Sequence, residues 1–296
     1  MIKRNEVSFL FSYNESSMNR KKIVASIMLI LAPLLWGLSY SFQSMSTESL
    51  GSFSIVFFKG IGSIVLLPIL IFQKRRFNFR SVRGGILIGL FVFLGCFFQQ
   101  LGIKYSTISK ASFITALYIL FVPLIQIFMG KKVSVKIWIS VLVAAIGLYF
   151  LCMHSDTGIN KGDFFLLAGS VMFALQIIAI DYYVKDCDPL VLTFVYEFSL
   201  SVFALIAVFF FEKIDLSAVK EALLPLLYLV FVSGILAQYL QTRYQKDLDP
   251  SLASLLMSFE SVFGAFFGWL IMHQTLSFKE IFGCILVFLA ILLAES

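Results

Sequence analysis

Charged residues are scarce in this sequence. Only 14% of the 296 residues are Asp, Glu, Lys or Arg, whereas 60% are hydrophobic and the mean hydropathy is +0.95. A soluble domain could not hide so much apolar surface, because its own exterior has to remain largely wettable. The composition excludes a soluble globular protein and predicts an integral membrane protein.

Cysteine and histidine are also rare, and their placement argues against disulfide and metal chemistry. The four cysteines stand far apart without paired spacing, and both histidines fall in predicted loops: Cys96, Cys152, Cys187, Cys284, His154 and His273. Neither a disulfide framework nor a zinc site is indicated. No cofactor is expected.

Sequence motifs of nucleotide and hydrolytic chemistry are absent. The chain has no G-x-x-x-x-G-K-[ST], no H-E-x-x-H and no G-x-S-x-G, so transport driven by ATP on this chain and two common hydrolase mechanisms are not indicated. Asp186 and Asp188 form the closest approach to an acid pair. The pI near 9.1 does not signal nucleic-acid binding, because the basic residues lie in short loops between apolar runs.

Ten apolar runs are long enough to cross about 30 Å of hydrocarbon, which takes roughly 20 helical residues. They span approximately 23–43, 53–72, 84–103, 109–129, 136–153, 162–184, 190–211, 222–242, 251–272 and 279–295. The connections between them are short. The sequence therefore predicts an all-α membrane protein of ten transmembrane helices, preceded by a cytoplasmic tail at residues 1–22.

The distribution of Lys and Arg predicts the orientation of these helices. If the N-terminus is cytoplasmic, 16 basic residues lie on the inner side and 6 on the outer side, and Lys59 is left within a helix. Cytoplasmic loops carry such an excess of positive charge. Both termini are therefore expected in the cytoplasm, in a multi-pass protein of the inner, or cytoplasmic, cell membrane.

The segment from Gln99 to Pro123 returns as a weaker copy from Gln241 to Phe263, at an offset of 142 residues. Such self-similarity suggests duplication. Five helices per half is an odd number, so the second half, 162–295, enters the membrane from the side opposite to the first half, 23–153. Inverted repeats of this kind hold substrate near the membrane midplane, where the halves meet.

Polar side chains within apolar spans are the candidates for that site, because such groups are costly in hydrocarbon. We expect a central cavity lined by residues of both halves: Trp36, Tyr40, Lys59, Gln99 and Tyr118 from the first, and Gln176, Glu197, Gln241 and Glu260 from the second. For Lys59 two interpretations remain open. It either snorkels to the interface or provides the counter-charge for a substrate carboxylate or a glutamate.

Glu260 is the candidate proton-coupling residue. It lies about 14 Å along its predicted helix, close to the midplane, on the same helical face as Ala253, Gly264 and Gly268. An isolated carboxylate at this depth favours its neutral form, and exposure to water would release the proton. The alternative is a neutral, hydrogen-bonded packing residue.

Three stretches carry a resemblance to a known family. They are Trp36-Gly37, Gly102-Ile103-Lys104-Tyr105-Ser106 leading to Ala111, and Phe259-Glu260-Ser261-Val262-Phe263. The chain resembles the drug/metabolite transporter superfamily, specifically its ten-helix EamA-type members, from about residue 25 onward. The family's pattern often has proline where Ser261 stands and arginine where Lys59 stands.

The resemblance implies a secondary transporter, commonly an exporter of amino acids or related solutes, that works by alternating access. Proton coupling is expected on the residue argument above. The alternatives are an integral membrane enzyme acting on a lipid-linked substrate and a facilitative channel. The expected partners are a small-molecule substrate and membrane lipid, without nucleic acid. Two GxxxG pairs, Gly85 with Gly89 and Gly264 with Gly268, leave a homodimer open.

Overall fold

The computed structural model describes residues 2–103, 105, 108–153, 159–273 and 275–295, with the side chains of residues 2–19, 40, 44, 103, 108–110, 112 and 272 left aside. The described chain is helical throughout and contains no strand. The protein is an all-α membrane protein, as its composition predicts.

Ten helices, here labelled in chain order, account for the ten predicted apolar runs. They are α1 (Ile2–Thr47), α2 (Ser52–Phe72), α3 (Phe79–Ile103), α4 (Ile108–Ala116 and Tyr118–Phe128), α5 (Val135–Cys152), α6 (Lys161–Val184), α7 (Pro189–Phe211), α8 (Leu223–Gln245), α9 (Pro250–Met257 and Phe259–Met272) and α10 (Phe278–Glu295). A short helix, Leu216–Glu221, precedes α8.

Eight of these helices contain a segment long and apolar enough to span a membrane by length and composition. In α1 that segment is Arg20–Thr47, although the helix itself begins at Ile2, within the predicted tail. The apolar part of α4, Phe113–Phe128, is shorter. Helix α10 has 18 residues and carries Lys279, Glu280 and Glu295 at its ends.

Local sequence explains where several helices begin. Asp188 precedes Pro189 at the start of α7, and Asp249 precedes Pro250 at the start of α9; each aspartate side chain accepts hydrogen bonds from backbone N–H groups of the first turn. Proline fits the first helical position because its missing N–H has no partner there. Asn160 begins α6 with a capping box.

The most extensive helix contacts join one half to the other and follow the inverted repeat. Three contacts between the halves each have an equivalent on the other side of the repeat. The pair α3–α6 corresponds to α8–α1, the pair α3–α7 to α8–α2, and the pair α4–α6 to α9–α1. The pairs α2–α7, α4–α9 and α5–α10 each join repeat-equivalent helices. The two halves therefore interlock as inverted five-helix repeats around a pseudo-two-fold axis.

Residues of both GxxxG pairs contribute to this packing within one chain. A Cβ added at Gly85 or Gly89 would meet α7 side-chain and backbone atoms, and a Cβ added at Gly37 would lie 2.8 Å from the backbone nitrogen of Gly264. Small residues allow such close helix approach. The two pairs consequently supply no argument for a homodimer.

The helices connect at two ends of the bundle, which carry different charge. The basic end contains the connections 73–78, 129–134, 185–188 and 246–249, together with Arg20 at the start of the apolar part of α1. The far end contains the connections 48–51 and 212–222 and the region around residue 273.

Candidate functional site

The helices of the internal repeat are interrupted near the middle of the bundle. Helix α4 breaks at Leu117 and helix α9 at Ser258, and backbone hydrogen bonds of the i to i−3 type surround both breaks. The two breaks fall at equivalent places of the repeat, one residue apart at the offset of 142. Tyr118 begins the second segment of α4, and Glu260 is the second residue of the second segment of α9. Discontinuous membrane helices of this kind surround the substrate sites of secondary transporters.

Two further helices lose regular α geometry where they contact each other. Helix α2 contains a 3₁₀ segment at Gly62–Val65, and helix α8 contains a π segment at Tyr228–Ala237. The Trp36 indole donates a hydrogen bond of 3.1 Å to the Ser233 carbonyl of the π segment. This bond joins α1 to the π segment of α8. Such segments often mark functional sites.

Three charged side chains lie within electrostatic range of one thiol, Cys96 of α3. They are Lys59 of α2, Glu197 of α7 and Glu260 of α9. Tyr118 of α4 lies within range of Glu260 as well. Five helices, drawn from both halves, therefore bring polar groups to one region, which we call the central site.

Within the central site the two glutamates have different surroundings. Glu197 is 0% exposed, and neither of its carboxylate oxygens has a hydrogen-bond partner. Glu260 is partly exposed and lies in the first turn of the second segment of α9. The positive end of a helix dipole stabilises a carboxylate at that position. Lys59 is also partly exposed, with its side-chain stem against Gly234 of the π segment.

Two glutamine contacts repeat across the halves. Gln99 Nε2 donates to Thr115 Oγ1 at 3.2 Å, and Gln241 Nε2 donates to Met257 Sδ at 3.1 Å. The donors are 142 residues apart, and so are the acceptors. The sequence predicts the equivalence of the glutamines. In the structure, Gln99 links α3 to α4, and Gln241 links α8 to α9, which are the equivalent helices of the second half.

The two glutamine contacts differ in exposure. Gln99 and Thr115, toward the far end, are partly exposed, whereas Gln241 and Met257, toward the basic end, are 1% and 3% exposed. The same holds for whole segments: residues 96–101 of α3 are all partly exposed, and most of residues 238–245 of α8 are buried. The bundle is therefore closed toward the basic end and looser toward the far end.

Four of the predicted cavity residues belong to the central site as defined above: Lys59, Tyr118, Glu197 and Glu260. Gln176 of α6 donates to Gln241 Oε1 at 3.3 Å, which joins these two residues within the second half. Trp36 is 8% exposed and contacts the π segment. The Tyr40 side chain lies outside the described part of the structure. Contact with substrate stays a prediction for every one of these residues.

Sequence reasoning missed three buried polar residues. Gln238 accepts a hydrogen bond of 2.7 Å from Tyr196 Oη, Gln245 donates to the Ile177 carbonyl at 2.7 Å, and Asp181 is 2% exposed. Gln238, Gln241 and Gln245 recur at spacings of three and four, so they share one face of α8. That spacing would have revealed the stripe.

Ion pairs at the basic end connect the two halves. Arg75 pairs with Asp188, Arg80 with Asp186 at 2.7 Å, and Lys131 with Asp181 at 3.3 Å. In each pair the cation belongs to the first half and the acid to the second. Gln126 of α4 also donates to Asp249 at 3.0 Å and accepts from Ser251. These three ion pairs are called the ionic lock below.

Among the residues that the structure describes, no group of three His, Cys, Asp or Glu side chains is placed to hold a metal ion. Outside the membrane spans, burial raises the pKa of the Cys187 thiol, opposed by the nearby Arg80, so this cysteine is a poor nucleophile.

Comparison with known proteins identifies similar transporters and a similar fold. A family model described as the EamA-like transporter family matches residues 23–153 and again residues 160–295. An uncharacterized transporter of Archaeoglobus fulgidus is 31% identical over 280 residues, which is 93% of this chain and 87% of that protein. A crystal structure superposes with a TM-score of 0.79 at 18% identity, covering 92% of this chain and 96% of the other. That match shows the fold alone.

Proposed function

Since the chain belongs to the EamA-like transporter family, we propose that it is a secondary transporter that moves a small metabolite by alternating access. The expected activity is export of amino acids or related amphipathic solutes across the cytoplasmic membrane, with proton coupling. The membrane-transporter class follows from the family. The substrate, the coupling and the mechanism of access are parts of the proposal.

The observation that carries the proposal is the different exposure of repeat-equivalent segments. The two inverted repeats can exchange their conformations. The end of the bundle that was open then closes, and the opposite end opens. Gln99 is partly exposed and Gln241 is buried. Exchange of these two environments would close the far end and open the basic end.

The charges of the central site fit a zwitterionic substrate. Lys59 and Glu260 have opposite charge, both are partly exposed, and both lie within electrostatic range of Cys96. A substrate carboxylate would pair with the Lys59 ammonium and a substrate ammonium with the Glu260 carboxylate. In the absence of substrate, Glu260 would take up a proton instead. This competition would couple export to proton entry.

The basic end would face the cytoplasm, because it carries most of the Lys and Arg residues. The described conformation would then be open to the outside and closed to the inside. The rival classes lack comparable support. The family match favours a transporter over a membrane enzyme, and a channel would not need the repeat-related asymmetry of exposure.

The function is tested with purified protein in liposomes. We expect uptake of a radiolabelled mixture of amino acids to exceed that of protein-free liposomes. Uptake should increase when an imposed pH gradient drives protons out of the liposomes, in the direction opposite to the substrate. Trans-stimulation by unlabelled amino acids should accelerate it. Flux that rises linearly with concentration, without saturation or trans-stimulation, would instead indicate a channel.

A further inference from the structure

Glu197 of α7 is the most completely buried acidic side chain in the described part of the central site. It is 0% exposed, so no substrate reaches it in this conformation. Neither carboxylate oxygen has a hydrogen-bond partner. The substrate-binding role that the sequence suggests for Glu197 stays a prediction. A charged carboxylate is costly in such a place, and the group avoids this cost when it binds a proton.

The hydroxyl groups near Glu197 in the sequence of α7 donate their protons to other acceptors. The Tyr196 hydroxyl gives its own proton to Gln238 Oε1 at 2.7 Å, so its oxygen can accept a hydrogen bond but has no proton to offer. Ser199 and Ser201 donate to the carbonyls of Val195 and Phe198. None of these hydroxyls has a proton left for a carboxylate at Glu197, which needs donors and has none.

Lys59 is the cation of α2 that lies within electrostatic range of Glu197. It forms no contact ion pair with Glu197, and its stem rests against Gly234 of α8. The remaining titratable groups nearby are Cys96 of α3 and Glu260 of α9. The ammonium of Lys59 would repel a metal cation from Glu197, which again favours the proton. Movement of Lys59 toward Glu197 would favour release of that proton.

We propose that Glu197 is a second protonation site, distinct from Glu260, whose occupancy is controlled by the position of the Lys59 side chain. When an anionic group binds to Lys59, the ammonium is drawn away from α7 and Glu197 keeps its proton. When Lys59 is free to approach Glu197, the proton leaves. Only the consequence for transport rests on the proposed function; protonation of Glu197 is a property of the protein alone.

Infrared difference spectroscopy of the purified protein tests the proposal without any substrate. In the wild type at about pH 7 we expect the C=O stretch of a protonated carboxylic acid. The Glu197→Gln variant should lose a component of this band that the Glu260→Gln variant, the matched control, retains. A band that is unchanged in Glu197→Gln would overturn the proposal.

A second variant covers the case in which Glu197→Gln does not fold. Lys59→Met keeps the acid and removes the neighbouring cation, so the band of the protonated acid should persist to higher pH than in the wild type. An identical pH profile would overturn control by Lys59. Absence of transport by a protein with the expected infrared behaviour would contradict only the proposed function, so the two failures are distinguishable.

Discussion

At the scale of single residues, the central site separates two carboxyl groups by their access to water. Glu260 is partly exposed at a helix break, whereas Glu197 of α7 is 0% exposed. A group that exchanges a proton with water must reach water at some stage. Glu260 meets this condition in the described conformation and Glu197 does not, which is why coupling to the bulk is assigned to Glu260.

The variant Glu260→Gln tests this assignment. The amide keeps the shape of the side chain and cannot release a proton. We expect accumulation driven by a pH gradient in proteoliposomes to fall by about tenfold or more, which corresponds to about 1.4 kcal/mol, while exchange of substrate persists. Detergent stability serves as the control. A variant that is folded and accumulates substrate with normal pH dependence would contradict the assignment, and one that fails to fold would support a packing role.

Trp36 provides a second prediction at this scale. Its indole N–H satisfies the buried Ser233 carbonyl in the π segment. Trp36→Phe keeps an aromatic ring and leaves that carbonyl without its donor, at a cost of about 1–3 kcal/mol. Thermal unfolding in detergent should therefore occur at lower temperature. Trp269→Phe, at a position 49% exposed, is the matched control and should unfold as the wild type does. Equal stability of both variants would show that the bond contributes little.

At the scale of helices, α5 and α10 form a pair that packs chiefly on itself. A Cβ added at Gly283 would lie 2.5 Å from the carbonyl oxygen of Gly147, and one at Gly147 would lie 2.8 Å from the carbonyl oxygen of Gly283. None of the charged residues of the central site belongs to either helix. We therefore expect this pair to stay together while the other eight helices rearrange.

Thiol bridging tests the stationary pair. The Cys152 thiol of α5 and the Cys284 thiol of α10 lie close enough to interact electrostatically. In a protein that keeps only these two cysteines, Hg²⁺, which bridges thiols, should bind without loss of transport. The comparison is a cysteine pair introduced by Arg80→Cys and Asp186→Cys across the ionic lock, where the same treatment should reduce transport by about tenfold or more, because one conformation is trapped. Equal inhibition of both proteins would show that α5 and α10 move during transport.

Helix-level structure was predictable where it depends on hydropathy and less so where it depends on neighbours. Each apolar run became a helix, and the offset between Gln99 and Gln241 identified equivalent positions of the repeat. The breaks at Leu117 and Ser258 carry neither proline nor glycine, so local sequence gives no signal for them. The π segment of α8 depends on which helices pack together, and so does the lack of a hydrogen-bond partner for the Glu197 carboxylate. A single sequence does not contain that information.

At the scale of the whole molecule, the charge asymmetry of the sequence acquires a second meaning. On sequence alone, the basic loops are orientation signals. In the structure, Arg75, Arg80 and Lys131 of those loops also pair with acids of the other half. Exposed ion pairs contribute about 0.2–1 kcal/mol each, and the Asp181 carboxylate is almost fully buried, so its pair matters more if broken. Together they can hold the basic end closed.

The Arg80–Asp186 pair offers the cleanest test of the ionic lock. Asp188 also caps α7 and Asp181 also pairs with Lys185, so changes there would affect more than the lock. Asp186→Arg places like charges together and should shift the population toward the conformation open at the basic end, by about fivefold for a loss of about 1 kcal/mol. Adding Arg80→Glu restores opposite charges and should reverse the shift.

Labelling of the repeat-equivalent glutamine positions reports that shift. With the ionic lock intact, a cysteine introduced by Gln99→Cys should react with a membrane-impermeant maleimide added at the far end, and one introduced by Gln241→Cys should stay protected from the basic end. Asp186→Arg should slow the first reaction and accelerate the second, because alternating access exposes only one side at a time. Acceleration at Gln241→Cys without slowing at Gln99→Cys would mean that the basic end merely loosens, and the exchange of conformations between the repeats would be contradicted.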